Sequence, residues 1–160
     1  MSQVSLTEQP HMQQVDLTQL NLAQLTQLKQ QLDQELSVFQ DSLTRLKIAQ
    51  GKYQESNESL DKFTPEAEGK DILVPLTGSM YVPGKLINTS KVVIDVGTGY
   101  YTEQYIADAK EYFKRRINYV TEQIMKIQAM GQEKSKIREA MMDVMEMKLQ
   151  SAQKEMAEKA

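Results

Sequence analysis

Apolar residues recur at spacings of three and four along two long stretches, and an alternating pattern separates the stretches. The first runs from about Asp16 to Phe63 and the second from about Tyr105 to Ala157, both without proline. This periodicity predicts two helices paired along one narrow stripe, each on the order of 70 Å long. We therefore predict an α+β fold, a long antiparallel coiled-coil hairpin with two β-hairpins at its bend.

The boundaries that follow are a polar, flexible tail over 1–15, a first coiled-coil helix over 16–63 and a linker over 64–71. The β-hairpins take 72–103, the second helix 104–157, and a short tail 158–160. Pro65 stops the first helix, Thr102 is the candidate cap of the second, and Gly131 marks a soft point inside it.

Both helices show the same ladder of apolar steps, 3-4-4-3-4-3, in which one four-residue step interrupts the heptads as a stutter. The ladder residues are Leu25, Leu28, Leu32, Leu36, Phe39, Leu43 and Leu46 in the first helix, and Ile106, Ala109, Phe113, Ile117, Val120, Ile124 and Ile127 in the second. Gln50 and Asn57 occupy later seam positions, where polar residues help to fix register and partner.

The outer ends of both helices carry more apolar residues than one stripe requires. Leu17 and Leu20 crowd close to further leucines, and seven of the ten methionines lie between Met125 and Met156. Each set has two interpretations, packing against the partner helix or an adaptable surface open to a ligand. Antiparallel pairing would make the two sets halves of one site. The candidate residues are Leu17, Leu20, Leu22, Leu25, Leu28, Ile137, Met141, Met142, Val144, Met145 and Leu149.

The middle of the chain reads as two hairpins. Strands at 72–77 and 80–86 flank a Gly78-Ser79 turn, and strands at 91–96 and 100–102 flank Gly97-Thr98-Gly99. Two such hairpins are marginal alone and leave edges unpaired, so we predict pairing with strands of other subunits, ideally into a closed intersubunit β-barrel. The candidate oligomerisation residues are Ile72, Val74, Leu76, Met80, Tyr81, Val82, Leu86, Val92, Val93, Ile94, Val96, Tyr100 and Tyr101.

Charge and composition argue against several classes of protein. The 19 basic and 22 acidic residues are interspersed, unlike the basic stripe of a nucleic-acid binder, and Lys114-Arg115-Arg116 is interpreted as a solvated helix face. The chain has no cysteine, no signal-peptide layout at its N-terminus and no run of 18 apolar residues. We expect no membrane or nucleic-acid partner and a cytoplasmic location, with the nucleus as a second compartment.

Candidate chemistry is sparse. His11 stands alone in a polar segment, no Ser/His/Asp arrangement is present, and Gly97-Thr98-Gly99 lacks the full glycine pattern and the Lys-Ser/Thr of a phosphate loop. We therefore expect no enzyme activity, no cofactor and no metal site.

The hairpin sequences at 74–86 and 93–101 resemble those of α-type prefoldin subunits, most closely the eukaryotic ones. The similarity extends through Asn21-Leu22, 30–35 and 108–115, and so covers about residues 16–150. It is weaker over 105–107 and before Asp16, where the polar leader is longer than usual.

This resemblance implies a hetero-hexamer of two α-type and four β-type subunits, with a double β-barrel body and six coiled-coil tentacles. It implies an ATP-independent holdase whose tentacle tips carry unfolded chains, typically actin and tubulin, to the cytosolic group II chaperonin. The body would be formed by residues 72–102, and client contact would fall near 17–28 and 137–156. The alternative is a coiled-coil scaffold or regulatory adaptor that binds folded partners.

Overall fold

The structure, a computed structural model, describes residues 16–158. Its elements are helix α1 (Leu22–Leu60), strands β1 (Asp71–Pro75), β2 (Tyr81–Lys85), β3 (Lys91–Gly97) and β4 (Tyr100–Tyr105), and helix α2 (Ile106–Glu158). Short 3-10 turns occupy Leu17–Gln19 and Pro65–Ala67. The predicted tail over 1–15, with His11, and the last two residues lie outside the described part of the chain.

Helix α1 begins six residues later than the pattern predicts, because a capping box stops it there. The Asn21 side chain accepts a hydrogen bond from the Gln24 amide at 2.8 Å, and the Gln24 side chain accepts one from the Asn21 amide at 3.0 Å. This reciprocal pair satisfies two amides that the first helical turn leaves without partners. The residues before Asn21 therefore belong to a separate turn.

Helix α2 follows β4 without an intervening loop. The Ile106 amide donates to the Ser90 carbonyl at 3.1 Å, so a neighbouring backbone group takes the place of a capping side chain. Thr102 lies inside β4, opposite Ile94, and the prediction that it caps α2 is wrong.

The described chain forms two compact units. Unit 1 comprises residues 16–37 and 132–158, and unit 2 comprises Val38–Gly131. In unit 2, Gln50 donates from Nε2 to Thr121 Oγ1 at 2.7 Å, and Arg116 donates from Nη2 to the Tyr53 hydroxyl at 3.3 Å. Gln50 precedes Tyr53 on α1, whereas its partner Thr121 follows Arg116 on α2, so the two helices are antiparallel there.

Unit 1 has the same antiparallel order, set by two ion pairs. Lys134 Nζ lies 2.7 Å from Glu35 Oε2, and Arg138 Nε lies 2.5 Å from Asp33 Oδ1. All the ladder residues named from the sequence are buried or half-buried. The sequence located the seam, and these polar contacts supply the register that it left open.

The strands form two separate antiparallel hairpins, β1 with β2 and β3 with β4. The second hairpin turns through Gly97, Thr98 and Gly99, whose φ angles are 106°, 53° and 82°. Asp95 Oδ1 accepts a hydrogen bond from the Gly97 amide at 2.8 Å. The exposed Asp95 side chain thus helps to form the turn.

Two kinds of feature are absent from residues 16–158. Neither α1 nor α2 contains an apolar stretch that could span a lipid bilayer. The same residues hold no group of three or more His, Cys, Asp or Glu side chains arranged to hold a metal ion.

Gly131→Ala should stabilise the chain. Gly131 lies inside α2, and an added Cβ would meet nothing within 4 Å. Replacing glycine by alanine in a helix interior is worth roughly 0.5–1 kcal/mol. We expect a higher midpoint for helix unfolding followed by circular dichroism.

Gly99→Ala is the control, because its φ of 82° strains any residue with a Cβ and should lower that midpoint. A Gly131→Ala midpoint equal to or below that of the parent would contradict an uninterrupted α2 at this position.

Candidate functional site

Unit 1 contains a small apolar cluster, hereafter the leucine–methionine cluster. Its buried members are Leu25, Leu32 and Met141, and its half-buried members are Leu17, Leu20, Leu28, Val144 and Met145. The methionines on α2 meet the leucines of the N-terminal part of the chain. The two residue sets that the sequence singled out are therefore in contact.

The candidate residues of unit 1 divide into members of this cluster and an exposed set outside it. Leu25 and Met141 have 0% exposure, so these two candidate residues are core and cannot touch a ligand while the cluster is closed. The candidates Leu22, Ile137, Met142 and Leu149 are exposed, lie outside the cluster on the same two helices, and are hereafter the rim. Packing against the partner helix thus accounts for Leu25 and Met141, and the exposed residues remain the candidates for a ligand surface.

Charged side chains bind the two helices of unit 1 together beside the cluster. Arg138 donates a hydrogen bond to Asp33, and with Lys29 at 3.3 Å it holds the pKa of that carboxyl below its usual range. The Lys134 ammonium, helped by the Gln31 amide, likewise lowers the pKa of Glu35. Both carboxylates are stabilised in their charged form by the helix pairing itself.

The first hairpin is uncovered on both of its faces. Ile72, Val74 and Val82 lie on one face, and Leu73 and Tyr81 on the other. All five side chains are exposed, Leu73 at 68%. A two-stranded sheet with apolar residues on both faces cannot bury either by itself, so it presents two surfaces for contact.

The second hairpin covers one face only. Ile94, exposed at 5%, and the half-buried Val92 pack with Leu60 and Ala109 of the helices. These two candidates therefore pack in the chain's own core, Ile94 as a buried member and Val92 in part. The opposite face stays open, where Val93 is exposed.

The remaining strand candidates fall into two groups. Leu76 and Met80 are exposed but lie in the turn between β1 and β2, and Leu86 is half-buried just past β2. Val96 and the tyrosines Tyr100 and Tyr101 are exposed on the second hairpin. The predicted surface is thus wider than the strands, and it includes the turns.

The basic cluster at 114–116 does not act as one solvated face. Lys114 and Arg115 are exposed, but the guanidinium of Arg116 lies 5.5 Å from the Tyr53 ring and 5.7 Å from the Tyr119 ring. The Tyr53 hydroxyl accepts a hydrogen bond from it and raises its pKa. Arg116 is a packing residue between the helices.

Sequence reasoning missed three residues that matter for these surfaces. Leu73 and Ile87 are among the most exposed apolar side chains. Leu32 was assigned to the seam alone, although it completes the buried part of the leucine–methionine cluster. The strand alternation of Leu73 with Ile72 and Val74 was the available signal for the second face of the first hairpin.

Comparison with known proteins identifies the fold and its relatives. The model of the prefoldin family, described as prefoldin subunit, matches residues 32–151. Human prefoldin subunit 5 is 49% identical over 138 residues, covering 86% of this chain and 90% of its own. Probable prefoldin subunit 5 of Drosophila melanogaster is 48% identical over 140 residues, covering 88% and 83%. These matches confirm the resemblance read from the hairpins.

Solved structures agree on the fold. A chain of the filamentous PFD from Methanocaldococcus jannaschii superposes with a TM-score of 0.63 at 20% identity, covering 72% of this chain and 95% of that one. At that identity the likeness shows the arrangement of helices and hairpins alone.

The pairing of unit 1 should weaken in acid. The pKa values of Asp33 and Glu35 are lower in the folded chain than in the unfolded chain, so their ionised forms stabilise the fold. This stabilisation is fully present above the pKa of an unfolded carboxyl group, about 4, and it is lost as the pH falls through the lowered pKa values of the folded chain. Asp33→Asn with Glu35→Gln should remove this part of the pH dependence. The measurement is the thermal midpoint of helix unfolding at about pH 6 and about pH 3.

Asp41→Asn with Glu58→Gln is the control, since it removes two exposed carboxylates from α1 and leaves the Arg138 and Lys134 contacts in place. If the thermal midpoint falls by the same amount between the two pH values in the parent, the double variant and the control, these ion pairs do not contribute to folding stability.

Proposed function

The chain belongs to the prefoldin family, and we propose that it works as an ATP-independent holdase subunit through two apolar surfaces, one for assembly and one for unfolded clients. Membership makes it a co-chaperone subunit that assembles with other prefoldin subunits.

The assembly surface is the pair of hairpins in unit 2. The first hairpin is apolar and exposed on both faces, and the second on its outer face. Each two-stranded sheet also has unpaired backbone groups along its edges. Strands from neighbouring subunits can satisfy those groups and cover the side chains, and closure into an intersubunit barrel removes every edge.

The client surface is the exposed rim of the leucine–methionine cluster, and this rim is the observation that carries the proposal. Met142 and Leu149 are exposed and seven residues apart on α2, which puts them on one face of the helix. Unfolded chains expose apolar segments, and their burial gains about 25 cal/mol per Å². Methionine side chains adapt to differently shaped segments, as a carrier of many clients requires.

Binding by one such rim is weak, because association and ordering consume most of the gain. Several subunits acting on one client supply avidity while each contact stays reversible. Release then needs no nucleotide hydrolysis, which agrees with the proposed absence of a cofactor and of enzyme activity. Actin and tubulin are the proposed clients, and the group II chaperonin is the proposed recipient, in the cytoplasm and also in the nucleus.

A scaffold or regulatory adaptor for folded partners is the second candidate function. It is favoured by Val38 and Ile48, which are apolar and exposed on α1 in unit 2. A scaffold would bind one folded partner tightly through such positions. A holdase would bind many unfolded chains loosely through the rim.

Met142→Ser with Leu149→Ser should weaken client capture, because both side chains are exposed rim residues whose loss leaves the cluster interior intact. We expect a several-fold higher concentration of reassembled complex to be needed to suppress aggregation of a chemically denatured client. Light scattering during dilution from denaturant is the measurement.

Val38→Ser with Met125→Ser is the matched control, since both residues are well exposed on the helices of unit 2. If the two double variants suppress client aggregation equally poorly, the rim has no special part in client capture. If only the control variant loses this activity, the scaffold function is favoured.

Leu73→Lys should prevent incorporation into the complex. Leu73 touches little in the chain alone, so its substitution spares the subunit fold but places a charge in the interface proposed for neighbouring strands. Native mass spectrometry of a reassembly mixture gives the fraction of complexes that contain the variant.

Ile48→Lys, an equally drastic change at an exposed helix position, should incorporate normally. Normal incorporation of Leu73→Lys would mean that this face of the first hairpin is not an assembly surface.

A further inference from the structure

The segment of residues 16–20, hereafter the strap, lies across the leucine–methionine cluster as a separate piece of chain. Asp16 caps its 3-10 turn, with Oδ1 accepting from the Thr18 amide at 3.0 Å and from the Thr18 hydroxyl at 2.6 Å. Leu20 is then extended, with φ −74° and ψ 141°, and Asn21 starts α1. Two consecutive caps, at Asp16 and Asn21, thus change the direction of the chain just before α1.

Apolar and polar contacts hold the strap in place. Leu17 and Leu20 are half-buried and pack against the cluster that contains Leu25 and Met141. Lys148 of α2 donates from Nζ to the Thr18 carbonyl at 2.8 Å, across 130 residues of sequence. The strap therefore touches both sequence segments that form the site.

The strap occupies the kind of surface that a client needs. Beside it an open groove of about 300 Å³ continues along α1, lined by Leu20, Leu28 and the glutamines Gln24, Gln27 and Gln31. Two leucines three residues apart, with a backbone carbonyl aimed at a lysine, are also what a short segment of an unfolded chain can offer. The strap is thus a client-like segment of the protein itself.

Its attachment is weak enough to exchange. Burial of two leucines and one exposed hydrogen bond favour the closed strap. The conformational entropy lost when five residues become ordered opposes it. The closed and open states therefore differ little in free energy. A client segment that buries more apolar surface than the strap can displace it.

We propose that the strap is a self-bound cover of the cluster interior, and that its displacement by client segments carrying bulky aliphatic residues about three apart adds this interior to the exposed rim as client surface. This inference rests on the proposed function for the client half, and on geometry alone for the cover. The apparent affinity for a client falls in proportion to the fraction of chains in which the strap is open. If the open and closed states are equally populated, opening the strap permanently raises that affinity about twofold. Locking the strap closed removes the surface beneath it.

A reversible cross-link can hold the strap closed, and because the sequence contains no cysteine, two introduced cysteines would be the only reactive thiols. Thr18→Cys with Lys148→Cys is joined before assembly by a bis-maleimide whose spacer is about as long as a lysine side chain and contains a reducible disulfide. The locked subunit, in the reassembled complex, should bind a fluorescent denatured client about tenfold or more weakly, and reductant should restore binding. The control joins Ser151→Cys to Lys154→Cys within α2, which leaves the strap free and should change nothing.

A client-free readout tests the cover separately. Met141 is fully buried and Met156 is 77% exposed, so hydrogen peroxide should oxidise Met156 first in the parent chain. Leu17→Ser with Leu20→Ser should raise the oxidation rate of Met141 several-fold relative to Met156, as read by fragment-ion mass spectrometry. Lys154→Gln, a charge change outside the strap, should leave that ratio unchanged.

The outcomes separate the two proposals. Equal client affinity of the locked and reduced forms, while Met142→Ser with Leu149→Ser loses capture, overturns the strap and leaves the holdase standing. An unchanged Met141 oxidation rate also overturns the strap, whatever the client assays show. A raised Met141 oxidation rate with no effect of the rim variant on capture supports the cover and overturns the rim as a client surface.

Discussion

Two helices that pack along one seam can cover only one stripe of each other, and this limit governs everything else in the chain. The seam uses most of the apolar side chains that the helices can bury, and little helical surface remains to cover the strands. Exposed hydrophobic residues on the first hairpin and on the cluster rim follow directly from that shortage. The proposed function assigns this uncovered surface to assembly and client binding.

Polar contacts give the seam its order. Leucines repeated every three or four residues pack almost equally well after a shift of one heptad, so apolar contact alone leaves the register loose. The Gln50–Thr121 hydrogen bond in unit 2 and the Asp33–Arg138 pair in unit 1 are each lost in a shifted alignment. Their contribution to the free energy of folding is small, as expected for contacts that stay partly open to solvent, and their value lies in specifying one alignment.

Much of this was visible in the sequence because it depends on local periodicity. The ladder from Leu25 onwards, the hairpin turns and the crowding of leucine and methionine were all predictable. The start of α1 was missed although Asn21 and Gln24 stand at capping-box spacing. The burial of Leu25 and Met141, the stacking of Arg116 on Tyr53, and the Lys148–Thr18 contact were not predictable, since each depends on residues distant in sequence. Sequence therefore located the sites, and packing decided which side chains each one offers.

The most direct test of this account is amide hydrogen exchange of β1 and β2 in the purified chain and in the complex assembled with its partner subunits. The account predicts rapid exchange in the chain alone and strong protection of these strands on assembly, because only other subunits can cover the first hairpin. A chain that is monomeric alone, with β1 and β2 amides as protected as those of the α1 seam, would contradict it.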